Sequence, residues 1–233
     1  MSRCEAGGAR LAGALVAAAL VAGAVAAAGS ASSAASTRPV PATLVAVESG
    51  AEDIIDMVFA GQRAQAIARA TALQATARGP AAADLAAAGT RPSEGALLRT
   101  RTARLARRAR AGSKTEILLA ANALSELMPR LYARFSNRVP PAVLTLDYLD
   151  REAEFRSLAR QGPRIPAIVA RLGRTWGALR PGVVAKGGGS EAAAYQRHVA
   201  AMRALSRRPG AALEREAVNG LNLVDEIEGV FAR

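Results

Sequence analysis

Glycine and proline cut this chain into short lengths. The breaks fall at Gly79-Pro80, Gly112-Ser113, Pro140-Pro141, Gly162-Pro163, the run from Lys186 to Ser190, and Pro209-Gly210. Between them, apolar residues return at three- and four-residue steps, the period of a helix that buries one face. Ile55, Val58, Phe59, Gln62 and Ala66 share a face of a first helix expected over 48–78. Leu98, Thr102, Leu105 and Ala109 do so over 93–111, and Ile117, Ala120, Leu124, Leu127 and Leu131 over 114–137, where Pro129 should bend the axis. Ser113 with Glu116 three residues on is a capping-box pattern. Thr145 is the expected cap of a helix running to Ala159, and a short helix marked by Ile165, Val169, Leu172 and Trp176 should stop at Pro181.

Two more stripes follow, Ala192 to Leu205 and Leu213 to Phe231. Apart from the brief stretch from Ala42 to Glu48, no segment alternates in the manner of a strand. The expected fold is all-α, an irregular up-and-down bundle of about five to seven helices in a single domain over 48–233. Alanine and leucine dominate the apolar half while aromatics make up only 3% of the chain, which suits helices that approach closely. Glycine and proline interrupt every heptad series, which excludes a long coiled coil.

The start of the chain bears on address. Arg3 and Arg10 lead into a charge-free stretch from Leu11 to Gly29, followed by small residues. That order is what a secretion apparatus reads. A signal peptide is expected over 1–30, cleaved between about 28 and 36, with a flexible, proline-bearing stretch over 31–47. An uncleaved membrane anchor is the alternative, although alanine and glycine make up much of the run. Cys4, the only cysteine, would leave with the leader, so the mature chain would hold no disulfide, thiolate metal site or cysteine nucleophile.

Without Arg3, Arg10 and Glu5 the chain has 29 basic and 18 acidic residues, a net +11. Arginine supplies nearly all of it, with lysine only at Lys114 and Lys186, a bias that fits GC-rich coding. Export argues against nucleic acid as the partner of this charge. An acidic protein, anionic lipid or an acidic envelope polymer fits better, with peripheral contact at a membrane through Arg101, Arg104 and Arg108 beside Leu98 and Leu105.

Four polar clusters are candidate ligand sites, each with an ordinary structural reading beside it. Asp53 and Asp56 share a face near the start of the first helix, where acids also suit the helix dipole. Asn122 and Glu126 lie one turn apart along the leucine stripe, where a buried carboxylate would need a partner. Asp147, Tyr148, Arg151 and Glu154 fall in the densest aromatic and charged run, read either as a binding face or as a ladder of surface ion pairs. Asn219, Asn222 and Glu226 step along one flank of the last helix.

His198 is the only histidine, so the Glu-x-x-His pairs of a dinuclear carboxylate bundle are missing, and no metal or cofactor is expected. No nucleophile elbow and no phosphate loop occurs, and no catalytic residue is assigned. The leading expectation is an exported, non-enzymatic helical binding or accessory protein of the periplasm or cell envelope. The alternatives are a bundle that binds a small ligand or divalent cation through interior carboxylates and amides, and a carboxylate-based hydrolase acting on an envelope glycan.

Overall fold

A computed structural model describes residues 38–233, all within one compact unit. The expected leader, its cleavage region and the first part of the stretch after it lie outside the described residues. The described chain is all-helical. Eight helices of 12 to 22 residues carry the fold: α1 (Ala42–Phe59), α2 (Arg63–Arg78), α4 (Pro92–Ala111), α5 (Lys114–Ser125), α7 (Pro141–Leu158), α8 (Ile165–Ala185), α9 (Gly189–Leu205) and α10 (Ala211–Ala232). Two shorter ones, α3 (Pro80–Ala87) and α6 (Met128–Tyr132), fill connections. Among the described residues there is no strand, only an isolated bridge between Pro39 and Ser136, and no helix is long and apolar enough to cross a membrane.

Packing follows the apolar stripes into two four-helix rings. In the first, α1, α2, α4 and α5 each lie against the next, and α5 closes back on α1. In the second, α7, α8, α9 and α10 do the same. Each ring encloses its own core, Leu44, Ile54, Leu73, Leu98, Leu118 and Leu124 in one, Trp176, Tyr195, Val199, Met202, Leu213 and Ile227 in the other. The rings meet where α5 packs on α7. Phe155 belongs to α7 by sequence and to the first core by packing, and it is fully buried there.

Several helix boundaries differ from expectation, each for a local reason. The first helix starts at Ala42, so the segment from 42 to 47 is helical and not a loose lead-in, and it is split from α2 where Gly61 adopts φ 73°. That left-handed conformation is open to glycine at little cost. The third helix ends at Ser125 and restarts at Met128, with Pro129 in the first turn of α6, where a missing N–H costs nothing.

Helix α7 begins at Pro141, not at Thr145, whose hydroxyl instead bonds back to the Pro141 carbonyl. Helix α8 continues through Pro181 to Ala185. Pro181 and Gly177 are both exposed, so the carbonyl that the proline cannot bond faces solvent. The capping box forms as expected: Ser113 Oγ accepts from the Glu116 N–H, and the Glu116 carboxylate accepts from the Ser113 N–H at 2.9 Å.

Because Phe155 ties the second ring to the first core, Phe155→Ala should cost about 3–5 kcal/mol. Urea denaturation should show that loss. A cost near zero would mean the rings do not share this contact.

Candidate functional site

The polar chemistry gathers around α7. This helix looks charged, yet Leu146, Tyr148, Leu149, Asp150, Glu152, Ala153, Glu154, Phe155 and Ser157 are all buried, because neighbours cover it on nearly every side. A carboxylate taken out of water needs a partner or a proton, and those on α7 meet that need separately. Glu152 accepts from Asn122 Nδ2 at 2.9 Å and from Arg156 Nε at 2.7 Å. Asn122 also donates to the Tyr148 carbonyl, which fastens α5 to α7. Ser157 donates to Glu214 of α10 at 2.7 Å. Burial, with Glu214 nearby, pushes Glu154 up to about 7.

Deepest is a triad inside the second ring. Asp150 Oδ1 lies 3.0 Å from His198 Nε2, and Glu216 Oε1 lies 2.8 Å from His198 Nδ1. Tyr195 donates to Asp150 Oδ2 at 2.8 Å. Both ring nitrogens face carboxylate oxygens, so both contacts are hydrogen bonds when the ring carries two protons, or when it carries one and a facing carboxyl carries the other. Burial opposes the imidazolium, but the hydrogen bonds and charges of Asp150 and Glu216 outweigh it and hold His198 above its ordinary value. Burial pushes Asp150 up, against the bonds from His198 and Tyr195. Gly220 makes room for this: a Cβ there would stand 2.5 Å from His198 Nε2 and 2.6 Å from Asp150 Oδ2. The triad pins α7, α9 and α10 together.

Two clefts open at the boundary between the rings. One, of about 240 Å³, is acidic: Glu48 and Glu52 come from α1, Asp147 and Arg151 from α7, Asp225 and Glu228 from α10. One guanidinium thus stands among five carboxylates and pairs with two of them, lying 2.7 Å from Asp147 and donating to Glu52 at 3.0 Å. Burial pushes Glu48 up to about 7 against a hydrogen bond from the Tyr132 hydroxyl, with Glu52 and Glu228 adding to the rise. Burial also takes Asp147 up to about 7, against the attraction of Arg151. Among the described residues, no group of three or more histidine, cysteine, aspartate or glutamate side chains is arranged to hold a metal ion.

The other cleft, of about 260 Å³, is basic. Arg101 of α4, Arg130 of α6 and Arg171 of α8 line it with Glu126, Thr145 and an apolar floor of Leu97, Leu127 and Pro129.

The candidate residues named from the sequence fall in different places. Asp53 pairs with Arg69 at 2.8 Å and Asp56 is exposed. Asn122 turns to α7, whereas Glu126 binds Arg101 at 2.9 Å. Asp147 and Arg151 share the acidic cleft, Tyr148 lies under the Arg171 guanidinium, and Glu154 lies near Glu214. Asn219 donates to Glu216, and Asn222 and Glu226 face solvent.

Arg104 is exposed, and Arg108 is paired with Glu116 at 2.8 Å. Leu98 and Leu105 are fully buried, which leaves no apolar stripe on α4 to enter a bilayer. The grouping of Glu48, Glu52, Asp225 and Glu228 around Arg151 was not foreseen, since it depends on which rings meet. Nor was the Asp150–His198–Glu216 triad, for which the sequence signal was slight, since Gly220 is one of two glycines in the last helix.

Comparison with known protein families, curated protein sequences and solved structures returns no match.

The raised groups set a pH dependence. Glu48, Asp147 and Glu154 ordinarily lose their protons near pH 4 to 4.5 and in the fold do so near 7, so the fold binds extra protons between those values. Their effect on stability is most favourable at the acid end and declines as pH rises through that window. His198 works in the same sense: its contribution is complete below the ordinary value of 6.5 and is lost as pH rises through the higher folded value. Calorimetry should therefore give a higher Tm at mildly acidic pH than at mildly alkaline pH, with Glu48→Gln and Asp147→Asn flattening the difference. A Tm that climbs with pH would contradict it.

Proposed function

We propose that this is an exported, non-enzymatic helical binding protein of the cell envelope, which docks an acidic envelope polymer along the outward arc of α4. The supporting observation is the state of the arginines on that helix. Arg101 and Arg108 turn toward α5, where Glu126 and Glu116 neutralise them. Arg99, Arg104 and Arg107 are exposed, with no carboxylate partner among the described residues. Arg110, also exposed, reaches only the Thr71 hydroxyl.

At 1.5 Å per residue, Arg99 to Arg110 spans roughly 16 Å of rigid helix, a row of cations matched to a chain with repeated negative groups. The net +11 of the chain after its first 37 residues adds a long-range attraction of the same sign. A polymer is favoured over insertion into lipid because Leu98 and Leu105 are spent on the core. A small cationic ligand in the acidic cleft is the weaker reading, since burial leaves Glu48 and Asp147 partly protonated at neutral pH.

The export half of the reading rests on the arginine-led apolar stretch from Leu11 to Gly29. Fractionation of cells expressing the chain from its own promoter should recover it in the envelope fraction. The full-length chain in the soluble cytoplasmic fraction would contradict export.

Binding is tested with polygalacturonate as the acidic polymer and dextran as the neutral one. The protein should bind only the former, with affinity that falls as salt rises. Reversing charge at Arg104→Glu and Arg107→Glu should weaken binding by about tenfold or more, as expected for a local contact. Reversal at Arg180 and Arg215, exposed on the second ring, should change it far less. Equal losses from both pairs would reduce the effect to net charge and overturn α4 as the docking face.

A further inference from the structure

The basic cleft holds a combination that surface ion pairs do not require. Three guanidinium groups from three separate helices converge beside one carboxylate, and each is also held by something other than that carboxylate. Arg101 Nη1 donates to the Ala123 carbonyl. Arg130 Nε pairs at 3.1 Å with Glu94, which is itself buried at 4% exposure. The Arg171 guanidinium stands 5.5 Å over the Tyr148 ring. The forks are thus oriented in advance, and an arginine fork presents five N–H donors suited to two-oxygen acceptors.

Glu126 meets only part of that capacity. One of its oxygens lies 2.9 Å from Arg101 Nη2 and the other 3.5 Å from Arg171 Nη1, and it makes no ion pair with Arg130. It stands just past the last residue of α5, with its side chain about one-third exposed, so it is free to turn outward.

We propose that this cleft is a binding site for a small organic carboxylate, which takes the place of Glu126 between Arg101 and Arg171 and adds a contact to Arg130. Glu126 shows which acceptor the forks fit, because its own carboxylate already bridges two of them. Exchanging one carboxylate for another leaves no guanidinium without a partner. The floor of Leu97, Leu127 and Pro129 selects a ligand with a short apolar part, and Thr145 lines the α7 wall. A volume of about 260 Å³ restricts the ligand to a few carbons beyond the carboxylate. Arg104 and Arg107 do not line the cleft, so this site does not depend on polymer docking.

The test is isothermal titration calorimetry of the whole protein with butyrate, succinate, butyramide and inorganic phosphate, alongside thermal melts in each. Butyrate or succinate should bind saturably at one site and raise the Tm, while butyramide, which lacks the charge, should not. Glu126→Gln removes the internal competitor and should tighten carboxylate binding severalfold. Arg171→Gln, at a half-exposed position that the core does not need, should weaken it by about tenfold. Arg130→Gln offers a second variant, read with far-ultraviolet circular dichroism to confirm folding. Absence of saturable carboxylate binding in both the unaltered protein and Glu126→Gln would overturn the proposal. Tighter binding of phosphate than of either carboxylate, or an affinity indifferent to Glu126→Gln, would do so as well.

Discussion

Helix α7 is asked to be two things at once, a wall of the second ring that also packs on the first, and a carrier of charge. It packs on α5 on one side and on α8 and α10 on the others, so its carboxylates have little access to water. The cost of an unpaired buried carboxylate is large compared with the few kcal/mol by which a domain of this size is stable. Each acid on α7 meets that cost differently: Arg151 serves Asp147, His198 and Tyr195 serve Asp150, Asn122 and Arg156 serve Glu152, and Glu154 is pushed up to about 7. Arg151 and Arg156 stand on α7 itself, while Asn122 comes from α5 and Tyr195 and His198 from α9; Glu52 on Arg151 and Glu216 on His198 extend the contacts to α1 and α10. Apolar stripes supply most of the free energy of packing, while the polar contacts decide which neighbour sits where.

Opposite characters on the two sides of α7 follow from the same arrangement. Turning Leu144, Asp147 and Arg151 one way makes them the floor of a cleft walled by acids from α1 and α10. Turning Thr145 another way presents it to the arginines of α4, α6 and α8. A strongly basic chain thereby gathers five carboxylates in one cleft where α1, α7 and α10 meet. The Arg151 guanidinium holds that pocket together, and burial with mutual repulsion limits how many of its acids are ionised at neutral pH.

Much of the architecture was legible from period and punctuation. The stripes on α4 and α5 bury the residues expected of them, those on α9 and α10 do so apart from half-buried Leu205 and Leu221, and the Ser113 and Glu116 cap forms as its spacing implies. Helix ends were less legible where glycine or proline acted through local geometry, as at Gly61, Pro129 and Pro181. Pattern was least informative for α7 itself. A helix buried on nearly all sides has no polar face, so Asp147 and Arg151 at i,i+4 read equally well as a surface ladder. The triad was invisible for a related reason: Asp150, His198 and Glu216 are far apart in the chain, and only the closure of the second ring joins them. Arg101 and Glu126 were both singled out, but their pairing across α4 and α5 is a tertiary fact.

Amide hydrogen exchange on the native protein tests the central position of α7 most directly. If this helix is the wall of one ring that also packs on the other, its amides from Tyr148 to Arg156 exchange only through global unfolding and rank among the slowest in the molecule, with the short outer helix α3 among the fastest. Exchange of the α7 amides by local opening, at rates like those of α3, would contradict the account.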